Sequence, residues 1–502
     1  MPIHSNRSVA TRLRRVAMSL CAIASISLPA VAGAQGLVFG QGVPIDQLTP
    51  VPIYQVTMPW VRAIYDTLVV WEGGKAVPSL AQSWEVSSDN TVYTLKLHSG
   101  VTFHNGAPLT VQTVVDNFQW AADPKNRVNG TGIYKGAEFS SPAPDEVRIK
   151  FTRPTPQALA TMALMPIIDL KANIATAPNG TGPFKVASFA SGSDLKLVRN
   201  DQYWDKTRMP ELPSYELRIL PDNAAAMAAL VSHQIDGIAF PDFRQIAAMK
   251  KAGIEMVAQK PSANFVLRVN ASKGPLANKK LRQALSFAIE RKVFADKMVG
   301  GIGDPTCSAY PKDSVAYEKS IDADCKFDLA KAKQLLTEAG FGNGLTLTML
   351  VSSVRQPEWA TYAPLFQEDL AKIGVKLNLL EVSPSIMQQR VSSGDYELQG
   401  VWYGWGTFDP AFLFVDEAFA PTVNTAWFRE PAYLDMIEAA QAETDPAARL
   451  EKYRAINKYI LDQAFMIPVS SRPYIYAIRP GVTGFAFDEF GMAYVNKTKV
   501  AQ

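Results

Sequence analysis

The sequence predicts an α/β protein built as two lobes, with more than one domain. Three observations carry this expectation. Two separate stretches, 215–257 and 345–403, alternate apolar strands with helices. The chain has 502 residues, 47% of them hydrophobic and 19% charged, which is a globular composition and more chain than one core usually serves. A turn-punctuated run at 68–118 precedes both alternations and stands outside them.

The first 34 residues read as a secretory leader. Arg7, Arg12, Arg14 and Arg15 form a basic start, 16–31 is mostly apolar, and Ala32, Gly33 and Ala34 precede Gln35 as a small-residue cleavage site. The apolar part contains Ser19, Ser25, Ser27 and Pro29, and it falls short of the ~20 residues a membrane span needs. Export with removal is therefore expected rather than anchoring. Cys21 lacks the small-residue run of a lipidated cysteine, and Arg14-Arg15 hints only weakly at twin-arginine export. Cleavage after Ala34 removes four arginines and no acids, so the formal charge moves from +3 to −1. A nearly neutral chain lacks the basic excess of a nucleic-acid or anionic-membrane binder.

The 215–257 stretch reads as strand 215–220, helix 223–231, strand 235–240, helix 242–252 and strand 254–257. Apolar positions at Leu281, Leu285, Ile289 and Val293 predict one packing helix within 276–299. Leu329, Ala332, Leu335, Leu336 and Ala339 predict another at 328–339, stopped by Gly340. Cys307 and Cys325 bracket a loop between these helices. In an oxidising compartment a structural disulfide is expected, stabilising by roughly 3 kcal/mol, while ligand spacing for a metal is lacking. The second alternation reads as strand 345–351, helix 359–373, strand 375–382, a helix capped by Ser383 with Pro384 in its first turn, and strand 397–403.

The run 68–118 carries a more specific signal. A strand meets the Gly73-Gly74 turn, followed by PSLAQSW at 78–84, a hairpin turning at Ser88, Asp89 and Asn90, and FHNGAPLT at 103–110 opening a helix. Further on come NGTGPF at 179–184, RNDQYW at 199–204, PLANKKLRQAL at 275–285 and LAKIGV at 370–375. In this order the strings resemble family 5 of the bacterial extracellular solute-binding proteins, the dipeptide, oligopeptide, nickel and opine receptors of ABC importers. The resemblance spans nearly all of the chain after the leader. It implies a two-lobed periplasmic-binding-protein fold of type II (cluster C-like) with an extra inserted domain. Domain I would combine 35–65, 177–262 and 479–502, domain II would be 66–176 and domain III 263–478.

Ligands of open α/β sheets sit outside the carboxyl ends of strands, and a cleft between two such lobes is the preferred place. That rule selects loops 352–357 and 404–410, with Phe240-Pro241 and the 53–58 segment facing them. The candidate ligand-binding residues are Tyr54, Phe240, Arg355, Trp402, Tyr403, Trp405, Thr407, Phe408 and Asp409. Aromatics there can stack on a solute or simply pack at a strand end, and Asp409 before Pro410 can pair with an ammonium or simply shape a turn. Arg355 can grip a carboxylate through a two-pronged contact or stand in solvent. Peptide-binding relatives carry G-W-x-x-D followed by D-P, the first acid holding the peptide amine. GWGTFDP at 404–410 is shorter and keeps only the later acid, Asp409. Arg355-Gln356-Pro357 loosely resembles the R-P motif that meets a peptide carboxylate. Arg355 with an aromatic cradle suggests an anionic or zwitterionic small organic ligand.

His98, His104 and His233 lack partners at ligand spacing, so no metal and no cofactor are expected. The expected function is that of a monomeric periplasmic receptor that closes on a small organic solute, by default a short peptide, and presents it to an inner-membrane ABC permease. Opines or other amino-acid conjugates, oligosaccharides and haem are alternative solutes. An exported hydrolase is the rival of a different class, and the chain has no G-x-S-x-G or H-E-x-x-H string. A periplasmic chaperone or sensor partner is the third reading.

Overall fold

A computed structural model describes residues 35–53, 56–259, 263–324, 326–404, 409–415, 419–420 and 425–501. The expected leader, Tyr54, Cys325, Trp405, Thr407 and Phe408 lie outside the described residues. Cys307 is disulfide-bonded.

One lobe is built on a seven-stranded sheet ordered Glu255–Ala258, Ile475–Ile478, Gly237–Ala239, Leu37–Gln41, Ser214–Ile219, Asp194–Arg199, Phe184–Ala190. The strands and helices expected over 215–257 are present, with helix Asn223–Val231 at its expected bounds and the second helix split into Phe243–Gln245 and Ile246–Lys251. They do not pair with one another directly. Leu37–Gln41 enters in parallel between Ser214–Ile219 and Gly237–Ala239, and Ile475–Ile478 enters antiparallel between Gly237–Ala239 and Glu255–Ala258. Strand Ile475–Ile478, directly ahead of the segment boundary expected at 479, is part of this sheet. A buried ion pair fixes the insertion: Arg479 reaches Asp236 at 2.8 Å, and Asp236 also accepts from Val38 N at 2.7 Å.

The second lobe rests on a five-stranded sheet ordered Val375–Glu381, Leu345–Val351, Leu398–Gly404, Ala263–Val269, Met466–Arg472. The elements expected at 328–339 and 345–403 follow the sequence closely, while strands Ala263–Val269 and Met466–Arg472 were not among the expected ones. Ser383 caps helix Pro384–Ser393 by accepting from Ile386 N at 3.4 Å, and Asp328 caps Leu329–Glu338 by accepting from Lys331 N at 2.8 Å. The single helix expected within 276–299 is instead two, Lys279–Ala288 and Arg291–Met298. Tertiary bonds override the periodicity at the break. Asp369 accepts from Glu290 N at 2.9 Å, and the Arg291 guanidinium donates to Pro468 O and to Ser286 O and Oγ at 2.8 to 2.9 Å. The phase shift buries Phe294 and Met298 and leaves Val293 half-buried.

A four-stranded antiparallel sheet, Ala81–Val86, Val92–Leu97, Glu146–Lys150, Glu138–Ala143, holds helix Val111–Ala122, whose Phe118 stacks on Phe139 at 5.4 Å. The strings at 179–184 and 199–204 converge on Asp66. Thr181, Tyr203 and Trp204 all donate to its carboxylate at 2.8 to 2.9 Å, while burial pushes its pKa up. Gly182 donates to Ile64 O at 3.0 Å, and a Cβ there would come within 2.6 Å of Ile64 C, so the turn accepts no side chain. The chain passes between the two large sheets twice, between 258 and 263 and between 472 and 475.

Candidate ligand site

A cavity of about 690 Å³ opens where the segment after Leu37–Gln41 faces the carboxyl end of the second sheet. Val43, Gln47, Thr49, Val51, Pro52 and Val56 form one wall. The other comes from four neighbouring elements. Strand Ala263–Val269 supplies Arg268, and strand Leu398–Gly404 supplies Gln399, Val401 and Trp402. The turn after Leu345–Val351 supplies Val354, Arg355 and Gln356, and helix Pro384–Ser393 supplies Met387, Gln388 and Val391. Arg127, in a left-handed conformation at φ 53°, reaches the rim from the region of the four-stranded sheet. The cavity exceeds a second one of about 490 Å³ beside Cys307, whose Asp322 already accepts from Thr306, Cys307 N and Tyr317.

Arg355 and Trp402 thus come together at the cavity, as the strand-end rule expects. Gln356 N donates to Ser352 O at 2.8 Å and holds the turn, and helix Pro357–Ala371 begins directly behind it. The first-turn amides of that helix favour a negative charge nearby. Trp402 is half-buried, and the Arg472 guanidinium lies 4.5 Å from its ring centroid.

Three other expectations are placed differently. Tyr403 is 2% exposed, donates to Ala309 O at 2.8 Å and meets Phe419 edge-on at 4.6 Å, because alternation along the strand sends it to the core beneath Trp402. Asp409 is taken up by Arg449, whose Nη2 lies 2.5 Å from both carboxylate oxygens, and it also accepts from Ala411 N at 2.9 Å. Its charge is spent within the second lobe, so it offers no anchor for an amine. Phe240 packs against Tyr474 and Tyr476 at 6.0 and 5.2 Å in the first lobe and is not part of the cavity wall.

Sequence reasoning passed over Arg268, although the residue carried a usable signal. It is the one charge in the otherwise apolar or amide strand ANFVLRV, which is buried along its whole length. Arg268 is 5% exposed and its Nε has no partner. Gln399, directly opposite in the sheet register and 4% exposed, has an unpartnered Oε1. Buried polar atoms left open beside a cavity are what a ligand satisfies.

The sequence model for bacterial extracellular solute-binding proteins, family 5, matches residues 75–420. The chain belongs to this family. It is similar to "Heme-binding protein A" of Haemophilus influenzae, with 29% identity over 477 residues, 86% of this chain and 85% of that one. It is also similar to "Glutathione-binding protein GsiB" of Escherichia coli (strain K12), with 28% identity over 427 residues, 81% of this chain and 82% of that one. Among solved structures, DppA from Helicobacter pylori in complex with peptide STSA superposes with a TM-score of 0.81 at 23% identity, covering 93% of this chain and 98% of that one. AgaA in complex with agropinic acid, from "A.tumefacien R10", gives 0.80 at 25% identity, covering 93% and 99%. The two-lobed family fold is thus shared. As a family 5 protein the chain is a solute-binding protein, and among its described residues no helix is long and apolar enough to cross a membrane.

Proposed function

We propose that this family 5 protein is the exported receptor of an ABC importer, capturing a small organic solute in the cavity and handing it to an inner-membrane permease. The observation that carries this reading is the pair of open buried groups, the Arg268 Nε and the Gln399 Oε1, at a cavity of about 690 Å³ bordered by separate parts of the fold. That size suits a solute of several hundred daltons. With two chain crossings between the sheets, contacts made from both walls favour a closed state over an open one. Binding and release suffice for this role, and no catalytic step is assigned. Removal of residues 1–34, a Cys307–Cys325 bond, a monomeric state and the three-part division of the chain belong to the same reading. The solutes named for the relatives are haem, glutathione, peptides and an opine, so the family context supports receptor work without fixing one solute.

The test is growth and uptake in the native host. A strain lacking this protein is expected to lose uptake of the solute that co-purifies with it, and loss of the partner permease should give the same defect. Chemical turnover of that solute by the purified protein, or uptake unaffected by the deletion, would sink the reading.

A further inference from the structure

We propose that the cavity takes an organic polyanion, a solute with at least two separated carboxylate-like oxyanion groups and no free ammonium group. This rests on the receptor reading above and names the chemical class of its solute. Arg127, Arg268 and Arg355 border the cavity from three different parts of the chain. None of the three makes a side-chain hydrogen bond or an ion pair with a described residue. Of the other buried arginines, Arg472 also keeps Nε and Nη1 open but has Glu358 as a counter-charge at 3.7 Å, and the remaining three are fully engaged. Arg282 donates to the carbonyls of Gln463, Leu276 and Ala277 at 2.8 to 3.0 Å, Arg291 donates to three oxygens, and Arg479 pairs with Asp236. Arg268, 5% exposed, has no such oxygen. A buried guanidinium without a counter-charge destabilises the empty protein, and a bound oxyanion offsets that cost.

The rest of the wall sharpens the class. No Asp or Glu occurs among the described lining residues, so an ammonium would face three guanidiniums and no carboxylate. Asp409, the acid that the sequence offered for an ammonium, is held by Arg449. The spread of the arginines over separate elements fits acid groups set apart on one molecule better than a single carboxylate. Trp402, Val51 and Val401 give the solute an apolar surface, which suits an organic body rather than an inorganic ion.

The protein, purified from its own host, stripped of ligand by unfolding and refolding, is incubated with the small-molecule fraction of a cell extract and washed. Retained solutes are weighed by mass spectrometry, their acid groups counted by methyl esterification and primary amines by reductive methylation. R127Q and R355Q, changes at exposed side chains that should spare the fold, are run beside R268Q. The expected solutes carry two or more acid groups and no primary amine, and each variant retains them roughly tenfold or more weakly, as for loss of one charge-assisted contact. R268Q without solute should melt at or above the wild-type temperature. A retained solute with one acid group or with a free amine overturns the proposal, as does wild-type retention by R127Q and R355Q. A lower melting point for R268Q overturns the assignment of Arg268 as a ligand anchor and makes it structural. A wild-type protein that retains nothing from any extract overturns the receptor reading itself, and the polyanion with it.

Discussion

At the scale of single residues, environment decides what a side chain can do. His104 sits in the family string FHNGAPLT, where its Nε2 donates to Gly182 O at 2.9 Å and burial pushes its pKa down to about 4. The unfolded chain takes up this proton near pH 6.5 and the folded one only near 4, so this group costs nothing above that window, lowers folding stability as the pH drops through it, and leaves the full loss in place below it. Wild type should lose about 1 to 3 kcal/mol more than His104→Gln across the window, allowing for partial exposure. Urea titrations of both proteins at stepped pH check this, and parallel profiles would refute it. The site was partly legible at this scale. Arg355 and Trp402 were chosen because strand ends are where ligands meet α/β sheets, and both line the cavity, whereas Tyr403 and Asp409 were carried along with Trp402 in one loop. Alternation along the strand and a partner 40 residues away, Arg449, took them elsewhere. Arg268 was missed because its strand, Ala263–Val269, lies outside both alternating stretches from which the candidate loops were drawn.

At the scale of elements, periodicity and caps located the strands and helices at 328–339 and 345–403 to within a few residues, because their signals are local, whereas strands Ala263–Val269 and Met466–Arg472 of the same sheet were not read. The broken helix shows where locality fails: its break depends on Asp369, distant in sequence from Glu290. Strand Leu398–Gly404 shows how tightly the central sheet is packed. A Cβ on Gly400 would meet the Trp359 ring at 2.0 to 2.5 Å, and Trp359 is 1% exposed between Phe265, Phe294 and Phe366. Gly400→Ala is therefore expected to destabilise by about 1 to 3 kcal/mol, the usual range for an overpacked core. The change also pushes on the strand that presents Gln399 and Trp402, so solute affinity should fall with stability. An unchanged denaturant midpoint would show that Trp359 has room to move.

At the scale of the whole molecule, two sheets joined by two crossings make relative motion of the lobes the expected response to a solute gripped from both sides. Small-angle scattering should show a smaller radius of gyration on saturation with the retained solute, and identical curves would argue against closure. The sheet order of the first lobe was not legible in the sequence, since no local pattern reveals that a strand near each end of the described chain is inserted among strands from its middle. That order also sets a timetable for assembly. Synthesis delivers Leu37–Gln41 early, but Ile475–Ile478 comes after almost all the rest, and until it does Gly237–Ala239 and Glu255–Ala258 lack the strand that lies between them. The first lobe cannot finish folding as its chain emerges. For the exported receptor proposed above, which would be threaded through a membrane pore before it folds, this late strand is a built-in delay.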